Sequence, residues 1–113
     1  MAKLPKAFET FRARYRGVSK ALEALGAAAH EAGPLDRKTR ELVKLGIAVG
    51  GRLEGAVRSH ARQAREAGAT PAEIEHVVLL AVTTAGFPTA VAAFTWVEGF
   101  LGKTGPGRPR SRR

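Results

Sequence analysis

Residues 41–60 read ELVKLGIAVGGRLEGAVRSH, and the rest of the chain is organised around them. The first half places Leu42, Val43, Leu45, Ile47 and Val49 at the spacing of a heavily buried helix. Gly50-Gly51 interrupts it, and a second helix restarts with Ala56, Val57, His60, Ala61 and Ala64 on one face. His60 therefore belongs to the apolar face. Glu41 stands at the edge of the first helix's apolar stripe. A two-glycine break lets the helices fold back as a hairpin, which brings Glu41 towards His60. A buried imidazole needs a partner for its N–H, at a cost of about 1–3 kcal/mol if it has none. Glu41 is the expected partner and Glu54 the alternative. A plainer arrangement puts Glu41 in solvent beside Arg37, four residues earlier, which contributes only about 0.2–0.5 kcal/mol. For His60, the plainer reading is a hydrogen-bonded core residue.

Capping signals continue the helical pattern in both directions. Asp36 starts the helix that carries Glu41, because its carboxylate can accept a free first-turn amide. Thr70-Pro71-Ala72-Glu73 is a capping box with proline at the first helical position. The expected helices run over 36–50, 53–67, 71–85 and 89–101, with Gly86-Phe87-Pro88 as the break before the last. Upstream, Leu4, Phe8, Phe11, Tyr15, Val18, Leu22 and Leu25 form one apolar stripe through residues 5–31. Gly17 is the weak point there, and Gly33-Pro34 is the stop. The expected fold class is all-α, a helical domain of five to six helices over residues 1–102. His30 lies near a helix end, and His76 lies on a polar edge, read as surface.

Composition narrows the chemistry. The chain has 113 residues and no cysteine, so disulfides, thiolate metal sites and thiol redox chemistry are excluded for it. The three histidines are too scattered in sequence to suggest a metal site. No nucleophilic triad order or phosphate-binding loop is present. The formal charge is +9, of which Lys103, Arg108, Arg110, Arg112 and Arg113 supply +5, leaving +4 on the rest. Residues 103–113 read as a disordered basic tail. Gly107-Arg108-Pro109 is a weak minor-groove signal, so nucleic acid enters only as a partner of the tail. Residues 77–97 carry no charge, yet the Gly86-Phe87-Pro88 break and the Thr and Ala content favour two short buried helices over a membrane span. Helices this apolar need covering, and a homo-oligomer is expected to supply part of the cover. Without cysteines or a signal-peptide pattern, the expected location is cytoplasmic.

The early Glu, the break and the His in the following helix resemble the carboxymuconolactone decarboxylase / alkylhydroperoxidase D-like superfamily. The resemblance extends over about residues 20–101. It includes LDRKTRELVKLGIAVG, EGAVRSHARQAREAGATPAEIEHVVLLA and AGFPTAVAAF. Redox members carry a Cys-x-x-Cys between the Glu and the His. Counting back from His60, those cysteines fall on Leu53 and Ala56, and the acid falls on Glu41. The chain thus resembles a cysteine-free branch. That resemblance implies trimers or hexamers and no cofactor. It also implies, for an active member, proton transfer by His60 during decarboxylation of a small carboxylated ring. Glu41 or Glu54 would orient the imidazole, and Arg52 or Arg58 would hold an acid group. Leu53, Ala56 and Phe87 would line the adjoining pocket. Thiol peroxidase activity is not expected. A non-catalytic oligomeric module of the same fold is the competing reading.

Overall fold

The computed structural model describes residues 5–102. Among them are six α-helices and no strand: α1 Lys6–Arg14, α2 Arg16–Glu31, α3 Arg37–Gly50, α4 Glu54–Glu66, α5 Pro71–Leu80 and α6 Phe87–Val97. Short 3-10 turns follow α5 at Ala81–Thr83 and α6 at Glu98–Phe100. The fold is all-α. Leu4 and the basic segment 103–113 lie outside the described residues. Two compact units divide the chain, one up to Leu35 and one from Asp36 onward.

In the first unit the helix breaks at Tyr15 (φ −123°, ψ 65°) and not at Gly17. The Tyr15 amide still donates to the Phe11 carbonyl at 2.8 Å, and its own carbonyl accepts from the Ser19 amide at 2.9 Å. The helical ladder therefore resumes at once on either side. The Tyr15 and Phe11 rings stack at a 47° tilt with centroids 5.0 Å apart. Arg12 lies over the Phe8 ring and pairs with Glu23 of α2 at 3.3 Å.

The second unit is built on helices that approach one another through small side chains. Glu41, Leu45, Ala48 and Val49 are the buried positions of α3, and Val57, Ala61 and Ala64 those of α4. Ile74 and Val78 are the buried positions of α5 and Ala90, Ala93 and Val97 those of α6. Five of these twelve are alanine, which permits the close approach of helix axes that larger residues would prevent. Two long-range bonds run from α4 to the end of the unit. Arg58 donates to the Trp96 carbonyl at 3.4 Å, and Arg65 donates to the Phe100 carbonyl at 2.9 Å. Both place a cation against the carbonyl end of the last helical segments.

The two expected caps are present. Asp36 Oδ1 accepts from the Thr39 amide at 2.8 Å. Thr70 Oγ1 accepts from the Glu73 amide at 3.1 Å, while Glu73 Oε1 accepts from the Thr70 amide at 2.9 Å. The other Glu73 oxygen takes Lys38 Nζ at 3.0 Å, which joins the start of α5 to α3. These amide bonds favour the charged carboxylates and hold both acids below the usual carboxylate range, with Lys38 adding to the effect at Glu73. Folded-state values lower than unfolded ones mean that the unfolded chain binds more protons. The stabilisation is therefore complete above the ordinary carboxylate range, near 4, and is lost as pH falls through the lowered native values. A thermal midpoint that is flat from neutral pH to about 5 and falls below about 4 is the expected outcome. Asp36→Asn should flatten part of that fall, and scanning calorimetry across pH checks both.

The turn after α3 departs from expectation. Neither glycine adopts a left-handed conformation: Gly51 has φ −83°, and it is Arg52 that takes φ 55°. The Leu53 amide bonds the Ala48 carbonyl and the Arg52 amide bonds the Val49 carbonyl, each at 3.0 Å, the paired closure of a Schellman motif. α4 ends the same way, on Gly68 (φ 102°), with Ala69 bonded to Ala64 and Gly68 to Arg65. A Cβ at Gly51 would sit 3.3 Å from the exposed Leu53 side chain, which would have to shift slightly.

The remaining differences concern α5 and α6. α5 ends at Leu80 and not at residue 85, because the amides of Thr84, Ala85 and Gly86 all converge on the Ala81 carbonyl. α6 begins at Phe87, two residues before its expected start. Gly86 (φ 106°) turns the chain, and Pro88 then falls in the first helical turn, where its missing N–H costs nothing. Among the described residues no helix is long and apolar enough to cross a membrane.

Candidate active site

Glu41 lies one turn into α3, and Leu45, four residues on, continues the same buried face. The Gly51-Arg52-Leu53 turn then returns the chain along α3, so that His60 on α4 comes back to Glu41. His60 Nδ1 and Glu41 Oε1 are 2.8 Å apart. The two side chains are sealed to different degrees: 3% of the Glu41 side chain is exposed against 19% for His60. The His60 side chain keeps some contact with solvent, and the Glu41 side chain has almost none. A carboxylate only accepts, so the Nδ1 nitrogen carries the hydrogen in this contact, and Nε2 is the nitrogen that Glu41 leaves unengaged.

The remaining candidate residues do different work. Glu54 does not approach His60. Its Oε2 accepts Arg58 Nη2 at 2.8 Å and Nε at 3.1 Å, a forked pair within the first turns of α4, about half exposed on both sides. Arg58 is thus committed to Glu54 and to the Trp96 carbonyl. Arg52 Nη1 donates to Thr89 Oγ1 on α6 at 2.8 Å. Ala56 packs partly buried against the core, while Leu53 is exposed and leans on Gly51. Phe87 is exposed and lines a groove between α5 and α6 that includes neither Leu53 nor Ala56. The structure brings Glu41 and His60 together, and the groove that Phe87 lines includes neither of them.

Two partners are absent from the sequence reading. Thr89 holds Arg52 from 37 residues away, and no local pattern signals such a contact. Gln63, three residues from His60 on α4, donates to Ser59 Oγ at 2.9 Å, a pair that i, i+4 spacing could reveal. His76 is exposed, as expected.

The model of the Carboxymuconolactone decarboxylase family matches residues 9–99. The chain belongs to the carboxymuconolactone decarboxylase family. A solved structure of a carboxymuconolactone decarboxylase family protein from Legionella pneumophila, in its apo form, superposes with a TM-score of 0.70 at 28% identity, covering 84% of this chain and 88% of that one. An uncharacterised protein of Haemophilus influenzae is 44% identical over 59 residues, which is 52% of this chain and 52% of that protein. The match thus spans about half the length of that relative. Within the carboxymuconolactone decarboxylase family this chain is one without any cysteine, so no thiol stands between Glu41 and His60 for the pair to activate.

Proposed function

We propose that this protein performs cofactor-free acid–base chemistry, of the decarboxylating lyase type, on a small carboxylated substrate, with His60 transferring the proton. The observation that carries this reading is the 2.8 Å Glu41–His60 contact, with the acid sealed and the ring open. Loss of carbon dioxide leaves an electron pair on the substrate carbon, and a protonated imidazole placed there delivers the hydrogen. Glu41, held on Nδ1, fixes which ring nitrogen faces the substrate. Arg52 engages Thr89 through one guanidinium nitrogen, which leaves its other donors for a substrate carboxylate. Arg58, doubly committed to Glu54, is the poorer candidate. Without cysteines, peroxide turnover coupled to a dithiol is not part of this reading.

The test uses the wild-type protein, a carboxylated lactone of a ring-cleavage product, and metal-free buffer in heavy water. Release of carbon dioxide with one deuterium at the vacated carbon is the expected result. No release from a panel of such lactones would leave the fold as a non-catalytic module.

We also propose that copies of the chain assemble into a trimer or hexamer. Val43, Ile47 and Leu80 are between 46% and 68% exposed around a groove of about 490 Å³ between α3 and α5, an apolar face that a second copy would cover. Light scattering at micromolar concentration should give three or six times the mass of one chain, and a single-chain mass overturns the assembly.

A further inference from the structure

The first unit contributes nothing to the proposed chemistry, and its two helices have an unusual surface. No residue of α1 or α2 is buried. Phe8, Phe11, Tyr15, Val18, Leu22 and Leu25 follow one another at steps of three and four, and each is between 46% and 66% exposed. Single exposed apolar residues are ordinary, but six in one helical stripe mark a surface that meets something. Glu9, Arg12, Arg16, Ser19, Lys20 and Glu23 line a groove along the same two helices, and no residue of the stripe lines it. The helices are therefore apolar and aromatic on one face and charged on another.

Charge decides what the stripe meets. Residues 6–20 carry Lys6, Arg12, Arg14, Arg16 and Lys20 against Glu9 alone, a net +4. Arg12 is taken by Glu23. Arg14, Arg16 and Lys20 have no acidic partner among the described residues. Residues 36–102 hold eight Lys and Arg against seven Asp and Glu, a net +1. A second copy could cover the stripe, but it offers these cations no counter-charge, and two such segments side by side repel. A basic helix with an aromatic and aliphatic opposite face suits the plane of an anionic bilayer. Its apolar face enters the acyl boundary and its cations meet the lipid phosphates. We propose that α1 and α2 dock on an anionic phospholipid surface, with the stripe from Phe8 to Leu25 in the interface and Arg14, Arg16 and Lys20 among the headgroups. Tyr15 suits that depth, with an apolar ring and a hydroxyl that stays wet. The charged face makes this contact one that lies along the surface and does not cross it.

The chain has no cysteine, so Val18→Cys gives a single attachment point for an environment-sensitive dye. The labelled full chain is titrated with phosphatidylcholine vesicles, and with vesicles containing phosphatidylglycerol as well. Co-sedimentation of the unlabelled chain is measured alongside. The dye emission should shift to the blue on the anionic vesicles, with binding at least about tenfold tighter than to the neutral ones. Added salt should weaken it. Replacing Arg14, Arg16 and Lys20 together by Gln should remove most of the anionic preference. Phe8→Ser with Phe11→Ser should weaken binding about tenfold or more, because both rings leave the interface. Absence of binding at millimolar lipid overturns the proposal, as does equal binding to both kinds of vesicle. So does co-sedimentation without a dye shift, the result expected if the basic residues 103–113 alone meet the surface. A dye already shielded before vesicles are added means that protein covers the stripe, and it overturns the proposal too. The same shift with duplex DNA would replace lipid by nucleic acid as the partner. Lactone turnover and the mass of the assembly are separate readouts, and neither depends on this result.

Discussion

His60→Asn is expected to keep the fold and to lower any turnover by about 10²–10⁴-fold. The asparagine amide can place a donor near the position of Nδ1 and so satisfy the buried Glu41 carboxylate. It cannot carry a proton to a substrate. His60→Ala removes the donor as well, leaving a side chain that is 3% exposed without its hydrogen-bond partner. That orphaned group costs about 1–3 kcal/mol. The two variants should therefore separate in stability and agree in activity. Urea unfolding paired with a turnover assay reads both quantities. Equal stability loss in the two variants would mean that the contact is not what His60 contributes to the fold. Retained turnover in His60→Asn would remove it from the chemistry.

Leu45→Ala should be the most damaging single truncation in the second unit, at about 2–5 kcal/mol. Leu45 is fully buried and follows Glu41 by one turn on the same face of α3. The cavity would open one turn along α3 from the acid. Domains of this size retain about 5–15 kcal/mol in total, so the loss is a large fraction of what holds the unit together. Val18→Ala, on a position of α2 that is 57% exposed, is the control, expected to shift stability by about 0.5 kcal/mol or less. A Leu45→Ala cost as small as that of Val18→Ala would show that α3 does not pack as described.

Much of this architecture is legible in the residues, for reasons that differ by element. Asp36 and Thr70 mark helix starts because the cap is a local bond, made within three residues, and both bonds are present. The Glu41–His60 contact is legible because helix phase and a short turn leave few other places for a buried imidazole to find an acid. Glu54 competes on sequence distance alone, and Arg58 at i+4 takes it instead. The turn itself is harder to read. Two glycines suggest two permissive backbones, yet the left-handed residue is Arg52, one position after them. Which residue of a turn takes that conformation depends on where the preceding helix stops. Pro88 reads as a breaker for its missing N–H, but in a first turn that donor has no helical partner to lose. The pocket assembled from Leu53, Ala56 and Phe87 rests on resemblance to relatives whose chemistry occupies those positions. In this chain Phe87 serves the α5–α6 groove.

Glu41 and His60 are 19 positions apart, and only the turn at residues 51–53 separates their helices. The bonds from α4 to the end of the second unit span 35 and 38 positions. Closing a short loop costs less chain entropy than closing a long one, and contacts near in sequence form sooner. The acid and the imidazole can therefore meet while residues 67–102 are still unfolded or still being synthesised. On that schedule the polar contact is made while water still surrounds it, before α5 and α6 pack onto the rest of the unit.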